Sequence, residues 1–73
     1  MNPRLPRVTA SEVQRVLEKR GFRVVRSTAR HRILRDPIGR RVTLPYHAGK
    51  IVHPKILLMI MEDAGFTEGD FED

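Results

Sequence analysis

Residues 21–45, GFRVVRSTARHRILRDPIGRRVTLP, hold three short runs joined by two links of hairpin length, and their reading decides the fold. The first run, Phe22 to about Ser27, sets Phe22 and Val24 against Arg23, although Val25 blurs the alternation expected of a half-buried strand. Ser27-Thr28-Ala29-Arg30 is a polar link, and His31 to Arg35 is the second strand. Asp36-Pro37-Ile38-Gly39 carries Pro and Gly where a tight turn wants them. Arg40 to Leu44 is the third strand, with Val42 and Leu44 on one face and Arg41 and Thr43 on the other. Pro45 has no N–H to donate to a ladder and is expected to end it.

Helical patterns flank this meander. Residues 1–8 carry two prolines and no period, an irregular lead-in. Thr9-Ala10-Ser11-Glu12 fits a capping box, in which the Thr hydroxyl and the Glu carboxylate each satisfy a backbone N–H at the helix start. The helix should run to about Arg20, with Gly21 as its left-handed terminator, Val13, Val16 and Leu17 toward the core, and Arg15 and Lys19 outward. Tyr46 to Val52 reads as a loop. A second helix starts at Pro54, a favoured first position, and stops before Gly65. Its apolar content is wider than one stripe needs, so either it is deeply buried or Leu58 or Met61 meets a partner. The acidic tail after Gly65 is expected to tuck down through Phe66 and Phe71. The whole is a single α+β domain, residues 1–73, in the order α-β-β-β-α. Two helices cover one face of a three-stranded antiparallel sheet and leave the other to solvent.

Composition narrows the function. Seventy-three residues are too few to line a deep cleft around a large cofactor, so none is expected. No cysteine is present, which excludes disulfides and thiolate metal sites. No apolar run approaches the ~20 residues that span a bilayer, and a cytoplasmic protein without a membrane partner is expected. The net charge of +5 is unevenly spread: residues 1–41 hold twelve Arg or Lys against three acids, residues 42–73 two Lys against six. Arg outnumbers Lys eleven to three. A polyanion, and specifically nucleic acid, is the partner that a basic front half of this kind implies.

Within that half, Arg30-His31-Arg32 places a titratable imidazole between guanidiniums. RNA carries its own nucleophile, the 2′-hydroxyl. Cleavage therefore needs a base, cations around the phosphorane and an acid for the leaving oxygen, but no metal. His31 is the candidate base. His47 follows Pro45-Tyr46 and could hold phosphate or serve as the acid, a role open also to Tyr46 and Lys50; His53, before Pro54, suits a helix start. Three scattered histidines without neighbouring carboxylates do not suggest a metal site. Glycine-rich phosphate loops, Ser or Cys triads and glycosidase carboxylate pairs are missing as well. Strict alternation groups His31 with Ile33 and Arg35, and Arg32 with Leu34. If Ile33 faced the helices, His31 would have to sit at the rim or be re-aimed by a bulge.

The order and spacing of Gly21-Phe22, Arg26, His31 with Ile33, Val42-Thr43-Leu44-Pro45 with His47, Ile60 and Ala64-Gly65-Phe66 resemble the HicA toxin family over nearly the whole chain. The resemblance implies a fold like that of double-stranded-RNA-binding domains, ribosome-independent endoribonuclease cleavage of mRNA, and a HicB-like antitoxin that blocks the site. The family's catalytic His lies in a Gly-Ser-His element that maps onto His31; here Ala29 and Arg30 replace the Gly and Ser, which costs backbone freedom and adds a cation that can take over phosphate contact. The RNA-contact candidates are Arg26, Arg30, Arg32, His47 and Lys50. Two other readings compete: a non-catalytic RNA-binding module of the same fold, and an interaction protein that docks through its second helix.

Overall fold

Two helices that stop at left-handed glycines bracket a three-strand meander in the computed structural model, which describes residues 5–71. Helix α1 spans Ala10–Lys19, strands β1, β2 and β3 span Arg23–Ser27, His31–Arg35 and Arg41–Pro45, helix α2 spans Pro54–Ala64, and a 3-10 turn covers Glu68–Phe71. The strands pair antiparallel in the order β1-β2-β3, so β2 is central. The α-β-β-β-α order is the one expected from the hydrophobic pattern.

Local chemistry explains each boundary. Thr9 accepts from the Glu12 N–H through its hydroxyl, and the Thr9 N–H donates to the Glu12 carboxylate at 2.9 Å, a complete capping box. The Thr9 N–H foremost, and the Thr9 hydroxyl donating to the same carboxylate oxygen at 3.0 Å, hold the Glu12 carboxyl below its ordinary value. At the other end of α1, the Gly21 and Phe22 N–H groups return to the Glu18 and Leu17 carbonyls at 3.1 and 3.0 Å, a Schellman turn that needs the positive φ of Gly21. Helix α2 starts with the His53 ring nitrogen Nδ1 accepting from the Lys55 N–H, just before Pro54 at the first helical position. It stops at Gly65, where a Cβ would lie 2.8 Å from an Arg40 nitrogen that donates to the Ala64 carbonyl. Gly65 is therefore required by its φ of 72°, and a Cβ there would in addition push the flexible end of Arg40 aside.

The core lies between the helices and one sheet face. Val13 and Leu17 from α1, Leu57, Ile60, Met61 and Ala64 from α2, and Leu34, Val42 and Leu44 from the sheet are buried together with Phe22. Each fully buried Leu contributes roughly 1.5–3 kcal/mol of transfer free energy. Val16 is only half-buried. Met61 belongs to the core, while Leu58 and Met59 are exposed, so the wide apolar character of α2 divides into a packed stripe and an uncovered one.

Two details depart from the sequence reading. Pro45 lies within β3, opposite His31, rather than beyond its end. As an edge strand, β3 has one side whose N–H groups need no partner, and Pro45 turns its nitrogen there, since the neighbouring Tyr46 N–H donates to the Arg30 carbonyl at 2.7 Å. The lead-in is anchored as far as it is described: Val8 is buried, its carbonyl accepts from the Val52 N–H at 2.8 Å, and Thr9 bridges to Ile51. Residues 1–4 of that lead-in lie outside the described residues. The tail does fold back, with Phe66 edge-on between Phe22 and Phe71, and an Arg20–Asp70 ion pair of 2.7 Å closes it onto α1.

Candidate functional site

Leu34 is fully buried beneath the helices, so the alternation of β2 turns His31, Ile33 and Arg35 to the uncovered face. This answers the question that the sequence left open, and His31 needs no bulge to reach solvent. His31 is the first residue of its strand and sits at the mouth of the β1–β2 hairpin. The Thr28 N–H donates to the His31 carbonyl at 2.8 Å and the His31 N–H to the Thr28 hydroxyl at 3.1 Å. That tight turn fixes the backbone under the imidazole, while the ring itself is exposed and makes no hydrogen bond among the described residues.

A bulge does occur, but in β1. Val24 pairs with Leu34 and Arg26 with Ile33, so Val25 is an extra residue, the one that blurs the period in the sequence. Were all the residues of β1 to alternate strictly without a bulge, Arg26 would lie on the helix side with Val24. The additional residue instead turns Arg26 to the face of His31 and Ile33. Arg30 is exposed at the hairpin tip next to His31. His47 and Lys50 are exposed in the loop that follows Pro45, the cross-strand partner of His31, with a Lys50 N–H to His47 carbonyl bond closing the turn.

Arg32 is placed differently from its neighbours. It shares the face of Leu34, is half-buried, donates to the Gln14 side-chain oxygen on α1, and lies 3.8 Å over the centre of the Tyr46 ring. Its guanidinium thus ties α1 to the loop beyond β3, on the opposite side of the sheet from the imidazole. His53 is occupied as the cap of α2. The structure therefore brings His31 and Arg26 to one face, leaves Arg30 exposed at the hairpin tip, sets His47 and Lys50 in the loop beyond β3 around a pocket shared with Ala10, His53 and Ile56, and separates Arg32 from the imidazole.

The sequence reading passed over Arg23, Arg35 and Arg41. Arg23 pairs with Arg35 and Arg35 with Arg41, so the three form one cross-strand row on the face of His31. The symmetric placement of Arg35 and Arg41 about the Asp36–Gly39 turn is the feature of the sequence that could have revealed half of it. Among the described residues, no cluster of three His, Asp or Glu could hold a metal ion, and no helix is long and apolar enough to cross a membrane.

The family model described as HicA toxin of bacterial toxin-antitoxin matches residues 10–66, from the first residue of α1 to the Phe that packs the tail. No curated protein matches the chain. The matched span takes in both helices, all three strands and the hairpin that holds His31, and on that ground the chain belongs to the HicA family of toxins from bacterial toxin–antitoxin systems.

Proposed function

We propose that this toxin is a metal-independent endoribonuclease that cleaves mRNA with His31 as its general base, and that a HicB-like antitoxin silences it by covering the open sheet face. The observation that carries the reading is an exposed imidazole on an uncovered sheet face that it shares with Arg26, next in sequence to exposed Arg30 and with no competing hydrogen bond among the described residues. In the neutral form His31 takes the proton of a 2′-hydroxyl as O2′ attacks the adjacent phosphorus. The P–O5′ bond breaks as O5′ gains a proton, leaving a 2′,3′-cyclic phosphate and a 5′-hydroxyl. Arg26 and Arg30 supply fixed positive charge for the phosphorane, since guanidinium holds two phosphate oxygens at once. His47 and Lys50 bind the strand at the edge of the site. Arg32 supports the reaction from below, by holding Tyr46 and so the loop that carries His47.

The test is cleavage of RNA by purified protein in EDTA. His31→Ala should lower the rate by about 10²-fold or more, the range of a general base, and leave the melting temperature unchanged because the ring is exposed and makes no hydrogen bond among the described residues. Equal rates would remove His31 from the mechanism. RNA binding with no cut ends from the wild-type protein would favour the non-catalytic RNA-binding module instead.

A further inference from the structure

The row Arg23–Arg35–Arg41 is a cost that the fold does not explain. Like charges directly opposite one another on adjacent strands repel, and here the repulsion occurs twice, across β1–β2 and across β2–β3. All three side chains are exposed, and none has an ion pair or hydrogen bond among the described residues. The acid nearest in sequence, Asp36, is committed elsewhere: it accepts from the Arg40 N–H at 2.7 Å and lies 4.0 Å from the Arg40 guanidinium. Three guanidiniums in line without counter-ions form a surface that an anion completes.

Its position identifies the anion. Along β2 the row stands four residues from His31, roughly 13 Å at about 3.3 Å per residue. The ground between is not charged. Ile33, half-exposed, and Val25, pushed out by the bulge, lie there beside Arg26, and with Arg35 and Arg41 they line a shallow depression of about 310 Å³. A strip with a base at one end, an apolar platform in the middle and a guanidinium row at the other repeats the order of a nucleotide chain, in which phosphates alternate with flat apolar faces. We propose that Arg23, Arg35 and Arg41 bind a backbone phosphate of the RNA about two nucleotides from the bond cleaved at His31, with Val25 and Ile33 supporting the intervening base. The proposal rests on RNA being the substrate and adds a remote subsite to it. An acidic polypeptide would be drawn to the same charge but has no need of the apolar platform or of the fixed distance from His31.

The triple variant Arg23→Thr/Arg35→Thr/Arg41→Thr tests it, since Thr suits an exposed strand position. Binding is read by fluorescence anisotropy with random-sequence 2′-O-methyl RNA hexamers, which lack the nucleophile and stay intact. Turnover is read on unmodified dinucleotides, too short to reach the row. Hexamer affinity should fall by ~10-fold or more, and the slope of log K against log salt should shrink by about 0.7, for the one phosphate no longer neutralised. Dinucleotide turnover should not change, and the melting temperature should rise by a few degrees as the repulsion is relieved. Arg35→Lys, which keeps the charge and loses the fork, should give an intermediate loss of affinity. Unchanged hexamer affinity in a folded triple variant overturns the proposal, as does a parallel fall in dinucleotide turnover. So does a loss of poly-Glu peptide binding with hexamer binding intact. Should the wild-type protein cut no RNA while hexamer binding falls as stated, the row stands and only the nuclease reading fails.

Discussion

The helix-covered and uncovered faces of the sheet come from the same three strands at alternate positions, and they obey different constraints. On the covered face Leu34, Val42 and Leu44 are fully buried, and the core determines both their identity and their register. On the uncovered face His31 is exposed together with Arg26, Arg23, Arg35 and Arg41, and the four guanidiniums carry like charge, which stabilises nothing within the chain. The edge strands differ for the same reason. β3 alternates without interruption because Val42 and Leu44 both anchor it, whereas β1 meets the core through half-buried Val24 and can absorb an extra residue. Where burial is strong the register is rigid, and where it is weak the strand can be bent to aim a side chain.

Moving residues between the faces should break this contrast most severely. Deleting Thr43 would send Val42 and Leu44 to opposite faces, and the protein should fail to fold, read as loss of the cooperative thermal transition. Deleting Val25 should be tolerated, because Arg26 already pairs with Ile33 and Ser27 with Arg32 and those pairs survive without the bulge. A Val25 deletion that unfolds the protein would show that β1 is held as firmly as β3. Next in size, Leu44→Ala should cost about 3 kcal/mol in urea denaturation, within the range for emptied core sites. Val24→Ala, at a half-buried position, should cost well under half of that.

The smallest effect concerns the lid over the covered face. Thr9→Ala removes the cap of α1 and should cost about 1 kcal/mol, or roughly 4–8 °C in a domain of this size. The Glu12 carboxyl is held below its ordinary 4.5 by its bonds to Thr9. Its contribution is therefore present above that pH and lost as pH falls through the lower folded value. Glu12→Gln should melt below the wild type at pH 6, and the gap should close as pH falls through the lowered folded value. A gap that persists in acid would show that the charge plays no part.

The strands, both helices, the capping box and the terminating glycines were legible because each rests on local chemistry: alternation, a hydroxyl three residues before a carboxylate, a left-handed residue where a helix must stop. The candidate base was legible as well, since Arg30-His31-Arg32 announces itself by residue type. The separation of its neighbours was not. Adjacent residues in a strand point oppositely, so Arg32 turned to Gln14 and Tyr46 while His31 turned to solvent, and only the burial of Leu34 decided which way.

By itself, then, the sequence determined the elements, their order and the excess of positive charge, because these follow from short-range pattern and composition. Tertiary structure alone decided which side of the sheet the helices cover, that β1 bulges at Val25 and so keeps Arg26 on the face of the imidazole, and that three arginines distant in the chain stand in one row. The physical reason is that a strand's facing and register are properties of its pairing and of what it buries, and neither exists until the chain has closed on itself.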